Sequence, residues 1–295
     1  MALAGESENH VSLKETLKDG VRTLGALPLV SRLIHRRGVR QFLNRVPGSR
    51  ALYGDGWNRK HPFDLRFGTD TSGCVTADEL QERGDHPALR HVTVYGGSQP
   101  SPLRTALATL PNLETCTFVD LGCGKGRPLI VASEFPFRDI VGVELTPELA
   151  SVARRNMELM AAQFPARTRV RVEQGDATEF QLPPGDLVVF LYHPFGTELV
   201  RKVVQRVEAA LEQEPSRRLF VVLYNPVNGE CFDASTKLSR RYARMLEYAA
   251  EERGFGPDMS DALMIWQGGS VPAVASKPNA RIVITNPGSR AELAG

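Results

Sequence analysis

The sequence lacks any apolar run near the roughly twenty residues that cross a bilayer. Its first ten residues, Met1 to His10, are polar and carry no hydrophobic stretch of the secretory kind. Cysteine is scarce, at four in 295 residues. Cys74, Cys116, Cys123 and Cys231 make no Cys-x-x-Cys pair and no zinc-ligand spacing, which argues against a disulfide scaffold and against a metal centre. An excess of one charge is missing too. With 36 Lys+Arg against 34 Asp+Glu, the formal net charge is +2, so the chain as a whole has no field that would gather nucleic acid. No segment repeats. From these absences we expect a soluble, cytoplasmic protein of a reducing compartment, with neither a membrane nor a nucleic acid as partner.

What remains is an ordinary globular composition, 42% hydrophobic and 24% charged, with ample material for a core. The length suits one large domain, or a domain with an extension. Charge is unevenly placed. Residues 1–66 hold 12 Lys+Arg against 6 Asp+Glu, leaving 24 against 28 elsewhere. The simplest reading is a solvated basic helical face; a surface for an acidic partner is the alternative. Helical periodicity in Leu13, Leu17, Val21 and Leu24 resumes in Leu29, Leu33 and Ile34 after a break at Pro28. We therefore read 1–66 as a helical extension or lid and 67–295 as the main domain.

The stretch Phe118-Val-Asp-Leu-Gly-Cys-Gly-Lys-Gly-Arg127 carries the most information. An apolar run ends in an acid, three glycines follow at alternate positions, and a helical pattern begins at once. That is a buried strand, a tight turn and a helix N-terminus, where backbone can approach a nucleotide-like ligand closely. A dinucleotide fingerprint would place a third small residue where bulky Arg127 stands, so a nicotinamide oxidoreductase is disfavoured. Twenty residues on, Ile140-Val-Gly-Val-Glu144 is a second strand ending in a carboxylate. Thr146-Pro147-Glu148 reads as N-cap, first helical residue and first-turn acid. A third strand, Val170 to Gln174, leads into Gly175-Asp176, and a fourth, Leu187 to Leu191, ends in Tyr192-His193-Pro194-Phe195-Gly196. Asp186 opens the fourth strand, at the wrong end of the sheet for a ligand.

Acidic-x-Gly-x-Gly-x-Gly, followed by these three elements in order, resembles the class I S-adenosylmethionine-dependent methyltransferases. The likeness covers roughly residues 95 to 225. It implies an α/β fold, a seven-stranded mainly parallel Rossmann-like sheet with helices on both faces, here with an N-terminal helical extension. It implies S-adenosylmethionine as cofactor, with Glu144 on the ribose and Asp176 on the adenine amino group. Gly122, Gly124 and Gly126 would bring backbone to the ligand. Asp120 would brace the glycine loop through backbone N–H groups or touch the ligand. The pre-motif helix after Tyr95-Gly-Gly-Ser-Gln-Pro-Ser-Pro102 would lie beside the methionine end, so Ser101 is a cofactor candidate as well as a candidate N-cap. Lys125 reads as a solvent-facing loop residue.

The place of the family's motif IV, often Asn/Asp-Pro-Pro-Tyr/Phe in enzymes that methylate nitrogen, is taken here by Tyr192-His193-Pro194-Phe195. A neutral imidazole can accept a hydrogen bond or take a proton near neutral pH, so His193, with Tyr192, is the catalytic candidate; a strand-end histidine bonded to backbone is the bland alternative. Phe195, Tyr95 and Asp70 are candidates for the acceptor substrate. Asp70 falls in His61-Pro-Phe-Asp-Leu-Arg-Phe-Gly-Thr-Asp-Thr-Ser-Gly73, either a plain connection or an ordered loop over a site; a similar run precedes motif I in bacterial methyltransferases that this segment resembles. The expected reaction is methyl transfer to nitrogen or oxygen of a small molecule or peptide. A protein-lysine methyltransferase and a cofactor-binding module without catalysis are the alternatives. Beyond the motifs we expect a helix over Thr197 to Gln213, a strand over Arg218 to Tyr224, a helix over Ser235 to Arg253, and final strands at Leu263–Trp266 and Arg281–Thr285.

Overall fold

The computed structural model describes residues 59–75, 95–192, 196–255, 260–272, 280–286 and 290–294. The expected helices of residues 11–46, and with them His193 and Phe195, lie outside the described residues. The body considered below is the unit Trp57–Glu252 with Ser260–Gly295.

It opens with α1 (Pro62–Phe67), where a proline takes the first turn and Gly68 closes the helix in a left-handed conformation. Two short strands, β1 (Cys74–Val75) and β2 (Tyr95–Gly96), pair antiparallel before α2 (Pro100–Leu107). Alternation then sets in: β3 (Thr117–Leu121), α3 (Arg127–Ala132), β4 (Asp139–Glu144), α4 (Pro147–Gln163), β5 (Val170–Gln174), β6 (Leu187–Tyr192), α5 (Thr197–Gln213) and β7 (Arg218–Tyr224). After the short α6 (Glu230–Asp233) come β8 (Leu238–Glu247) and β9 (Ser260–Gly269). A separate antiparallel hairpin follows, β10 (Arg281–Asn286) with β11 (Arg290–Ala294).

Seven strands form the main sheet in the order β5-β4-β3-β6-β7-β9-β8. The first five are mutually parallel, while β9 runs antiparallel to both β7 and β8. Strand order reverses about β3, and that is where an open α/β sheet presents a crevice at its carboxyl ends. One face of the sheet, with Phe118, Phe190, Phe220 and Ile265, packs on α2, α3 and the two phenylalanines of α1. The other, with Val119, Val189, Val221 and Trp266, packs on α5 through Leu199, Val203 and Val207. Each fully buried side chain of this size contributes about 1.5–3 kcal/mol of apolar burial.

The strand count is as expected, but one member differs. Leu238–Glu247, expected as helix, is the edge strand, and Arg281–Asn286 lies in the hairpin instead of the main sheet. Leu-Ser-Arg-Arg-Tyr-Ala-Arg-Met-Leu-Glu is rich in good helix formers, and its half-exposed edge position gives no clean alternation. Pairing along β9 decides the outcome. That strand in turn is longer than the expected Leu263–Trp266, running over ten residues.

Candidate cofactor site

The turn after β3 needs its glycines. Gly122, Gly124 and Gly126 have φ of 85°, 54° and 85°, in the left-handed region where other L-residues are strained. A Cβ on Gly124 would also meet the Tyr95 ring at 2.3 Å. Gly126 occupies the N-cap of α3. The peptide N–H groups of Gly122 and Cys123 donate to the Val143 carbonyl at 2.9 and 3.0 Å, tying the turn to β4.

Glu144, at the tip of β4, is buried and saturated on one oxygen. Its Oε1 accepts from the Thr146 N–H at 2.9 Å and from the Thr146 hydroxyl, and its Oε2 accepts from the Gly124 N–H at 2.8 Å. Burial pushes its carboxyl above the ordinary range, and these bonds pull it part of the way back. Thr146 occupies the N-cap position of α4, but its hydroxyl turns back to Glu144 and makes no cap bond. Asp120 is the contrasting case. Its side chain is buried, and Oδ2 has no hydrogen-bond partner. Burial first, and the Glu144 charge second, push its carboxyl well above the usual value. The expected brace from Asp120 to the glycine loop's N–H groups is therefore absent; Glu144 provides it.

Asp176 follows β5 and is half-buried; its Oδ1 accepts from the Thr178 N–H and hydroxyl, both at 2.8 Å. Tyr192 ends β6, its ring 4.9 Å from that of Tyr224 at the end of β7. Ser101 is not the N-cap of α2, which begins at Pro100 after Gln99. Instead its hydroxyl donates to buried Glu252 and accepts from the Ala249 N–H at 3.0 Å, and its own N–H donates to Glu252 at 2.9 Å. Asp186 holds Arg218 at the opposite end of the sheet, with its Oδ1 on the Arg218 N–H at 2.7 Å.

Tyr95 and Asp70 are brought to the glycine loop by side chains whose sequence context gave no sign of it. Lys125 is not solvent-facing: its Nζ donates to Asp70 Oδ1 at 2.9 Å and to the Ser72 carbonyl at 2.7 Å, with its side chain 15% exposed. Asn156 of α4 binds the Asp70 N–H through Oδ1, and the Asp70 and Lys125 carbonyls through Nδ2, all at 2.9 Å. Arg127 is buried, and its guanidinium donates to the Thr71 hydroxyl and carbonyl and to the carbonyls of Gly97 and Ser98 at 2.7–3.1 Å. Tyr95 adds its hydroxyl to the Thr71 carbonyl at 3.0 Å.

Beneath this, Asp64 is fully buried and accepts from the Thr69 and Thr71 hydroxyls at 2.7 Å, the Thr71 N–H at 3.0 Å and the Ser72 hydroxyl at 2.5 Å. Those hydroxyl bonds, with Arg127 nearby, outweigh burial and hold its carboxyl below the usual range. His61 Nδ1 accepts the Phe63 N–H, so Nε2 carries the proton that goes to Gln99 Oε1 at 2.8 Å. Burial, then the Arg127 charge, lower His61 to about 4. The sequence left 61–73 open between a plain connection and an ordered loop; the structure makes it a segment closed on Asp64 and on Arg127, a partner hidden inside the glycine motif.

Two features fit a cationic ligand with a nucleoside part: a bare glycine backbone that side chains would block, and a buried Asp120 oxygen with no donor. Among the described residues no group of His, Cys, Asp and Glu could hold a metal ion, and no helix is long and apolar enough to cross a membrane. A family model described as a methyltransferase domain matches residues 118–214, from β3 to the end of α5. No curated protein matches the chain. Among solved structures, an RNA methyltransferase from Salinibacter ruber in complex with S-adenosyl-L-homocysteine is 22% identical, with 62% of this chain and 99% of that one covered and a TM-score of 0.36. A putative methyltransferase from Pseudomonas syringae is 16% identical over 57% and 97% of the two chains, with a TM-score of 0.40. Geranyl diphosphate methyltransferase in complex with GPP and sinefungin is 14% identical over 57% and 76%, at 0.41. The acceptors named there are those proteins' own. Over the matched segment, which carries the glycine turn, its two carboxylates and the parallel strands about β3, the chain is similar to that methyltransferase-domain family.

Proposed function

We propose that this enzyme methylates nitrogen or oxygen of a small molecule or a peptide. The observation that carries the choice is the character of the groups around the strand ends: Asp120, Glu144, Asp176 and Tyr192, with Asp70 of the neighbouring loop, are acids and a tyrosine. Among the described residues, the cations of the glycine motif, Lys125 and Arg127, are spent on Asp70 and on backbone carbonyls. A phosphate backbone would require free Lys and Arg at such a surface; an amine or hydroxyl acceptor does not.

The cofactor, when bound, supplies an electrophilic methyl group on a sulfonium. The residues then divide the work. Glu144 has acceptor capacity left on Oε2 for ribose hydroxyls, and Asp176 has a second oxygen for the adenine amino group. Gly122, Gly124 and Gly126 let backbone approach. Asp120 offers negative charge to the ligand's cationic end, and Ser101, through Glu252, fixes the first turn of α2 beside it. Tyr95 and Asp70, beside Lys125 and Asn156, form a wall toward the acceptor, and Phe195 stays a candidate for contact with the acceptor from its sequence position alone. Alignment of nucleophile and methyl, with water kept out, supplies most of the rate in such a displacement. His193, directly after β6, takes or orients the acceptor's proton, with Tyr192 beside it.

The test is turnover with labelled S-adenosylmethionine against a panel of amines, hydroxyl compounds and peptides, followed by His193→Ala on the best acceptor. The variant is expected to lose roughly 10²–10⁴ in kcat with cofactor affinity nearly unchanged. Turnover close to wild type in His193→Ala would move the chemistry to another group.

A further inference from the structure

Asp120, next to last in β3, and Glu144, last in the adjacent parallel β4, place their side chains on the same face of the sheet as Phe118 and Ile140. They are treated very differently by the fold. Glu144 receives two backbone N–H groups and a hydroxyl, an environment that suits a carboxylate. Asp120 receives none, although it is 1% exposed. An ionised carboxylate buried without a donor and beside another carboxylate is strongly disfavoured, whereas a neutral acid is tolerated.

The groups that face Asp120 do not change this. From β4 comes Glu144, the charge that bears on it. From the turn comes Cys123, a buried thiol pushed well up by burial and by Asp120 itself. From β6 the neighbour is apolar Phe190, with Tyr192 next on that face. Arg127 of α3 is consumed by Thr71, Gly97 and Ser98, and Arg154 of α4 donates to the Val172 carbonyl. Among the described residues no cation pairs with Asp120.

We infer that Asp120 is a neutral acid in the free enzyme, and that it gives up its proton to solvent when the cationic cofactor occupies the site. Loss of the proton leaves a carboxylate against the ligand's positive charge, so one O–H bond breaks and no other bond changes. Binding is then proton-linked: affinity rises with pH, up to tenfold per unit, for as long as the free enzyme holds the proton. The inference rests on the cofactor assignment and adds to it the protonation state of the site.

The experiment is isothermal titration of the full chain with S-adenosylmethionine and, separately, with S-adenosylhomocysteine. Each is run at pH about 6.5, where an α-amino group is already protonated in solution, in buffers of differing ionisation enthalpy. The expected result is release of about one proton per ligand bound. Release with both ligands assigns the effect to the ammonium end, and release with S-adenosylmethionine alone assigns it to the sulfonium. Asp120→Asn, nearly isosteric and checked by its melting temperature, is expected to bind with no buffer dependence. The wild-type pH profile of affinity gives the same answer without any variant. Buffer-independent binding by wild type would overturn the inference while leaving the cofactor assignment intact, and so would equal proton release by Asp120→Asn. Absence of binding with both ligands would overturn the cofactor assignment, and the inference with it.

Discussion

At the scale of single residues, Gly124 joins backbone conformation, packing and the ligand site. Its φ of 54°, and a Tyr95 ring 2.3 Å from where a Cβ would stand, leave no room for a side chain. Gly124→Ala is expected to weaken S-adenosylmethionine binding by about tenfold or more, since left-handed strain alone is roughly 1–2 kcal/mol; calorimetry checks this, and unchanged affinity would place the ligand elsewhere. His61 gives a pH prediction. Its value in the fold, about 4, lies below the ordinary 6.5. As pH falls the unfolded chain therefore takes up the proton first, so the contribution is complete above about 6.5 and is lost toward 4. Stability should fall over that window by up to about 1.4 kcal/mol per unit, and His61→Gln should flatten the slope. An identical slope in the variant would exonerate the histidine. The glycines and Glu144 were legible in the sequence because spacing alone constrains them. Arg127 was not, since its partners Thr71, Gly97 and Ser98 lie 56, 30 and 29 residues away and an arginine is ordinarily exposed.

At the scale of elements, residues 61–73 are fastened to the glycine turn by Lys125, Arg127 and Asn156, and are satisfied internally by Asp64. A buried guanidinium with four acceptors and a rim ammonium should differ in weight. Arg127→Lys cannot reproduce the planar fork and should lose several degrees of melting temperature, at roughly 2–4 °C per kcal/mol for a chain of this size. Lys125→Met, at the edge of the network, should stay within about 1 kcal/mol of wild type. Thermal melts decide between them, and equal losses would contradict the assigned division. The sequence disclosed β3, β4, β6 and β7 because buried parallel strands read as apolar runs, and α5 through its helical apolar period. It misled at Leu238–Glu247, where helix-forming residues sit on an edge strand and only the long-range ladder to β9 fixes the state. Propensity is a weak prior against such pairing.

At the scale of the whole molecule, the alternation of strands and helices was enough to foretell a mainly parallel sheet with helices on both faces. It could not give the side-chain network that closes one wall, because that depends on contacts between distant segments. Of the expected extension 1–66, residues 57–66 belong to the main body, where α1 packs into the core; the basic residues before them remain proposed as a lid. Deleting residues 1–50 is expected to leave cofactor binding in place and to abolish turnover; full activity in the truncated protein would show the segment to be dispensable. The central claim is that the strand-end face at β3 and β4 binds S-adenosylmethionine, with Glu144 on the ribose. Its most direct test is titration of the full chain, wild type and Glu144→Ala, with S-adenosylmethionine and with a nicotinamide dinucleotide as rival. The account predicts binding of the first ligand alone, weakened roughly 10- to 150-fold in the variant, the equivalent of losing charge-assisted hydrogen bonds of about 1.5–3 kcal/mol. Unchanged affinity in a folded Glu144→Ala, or preference for the dinucleotide, would contradict it.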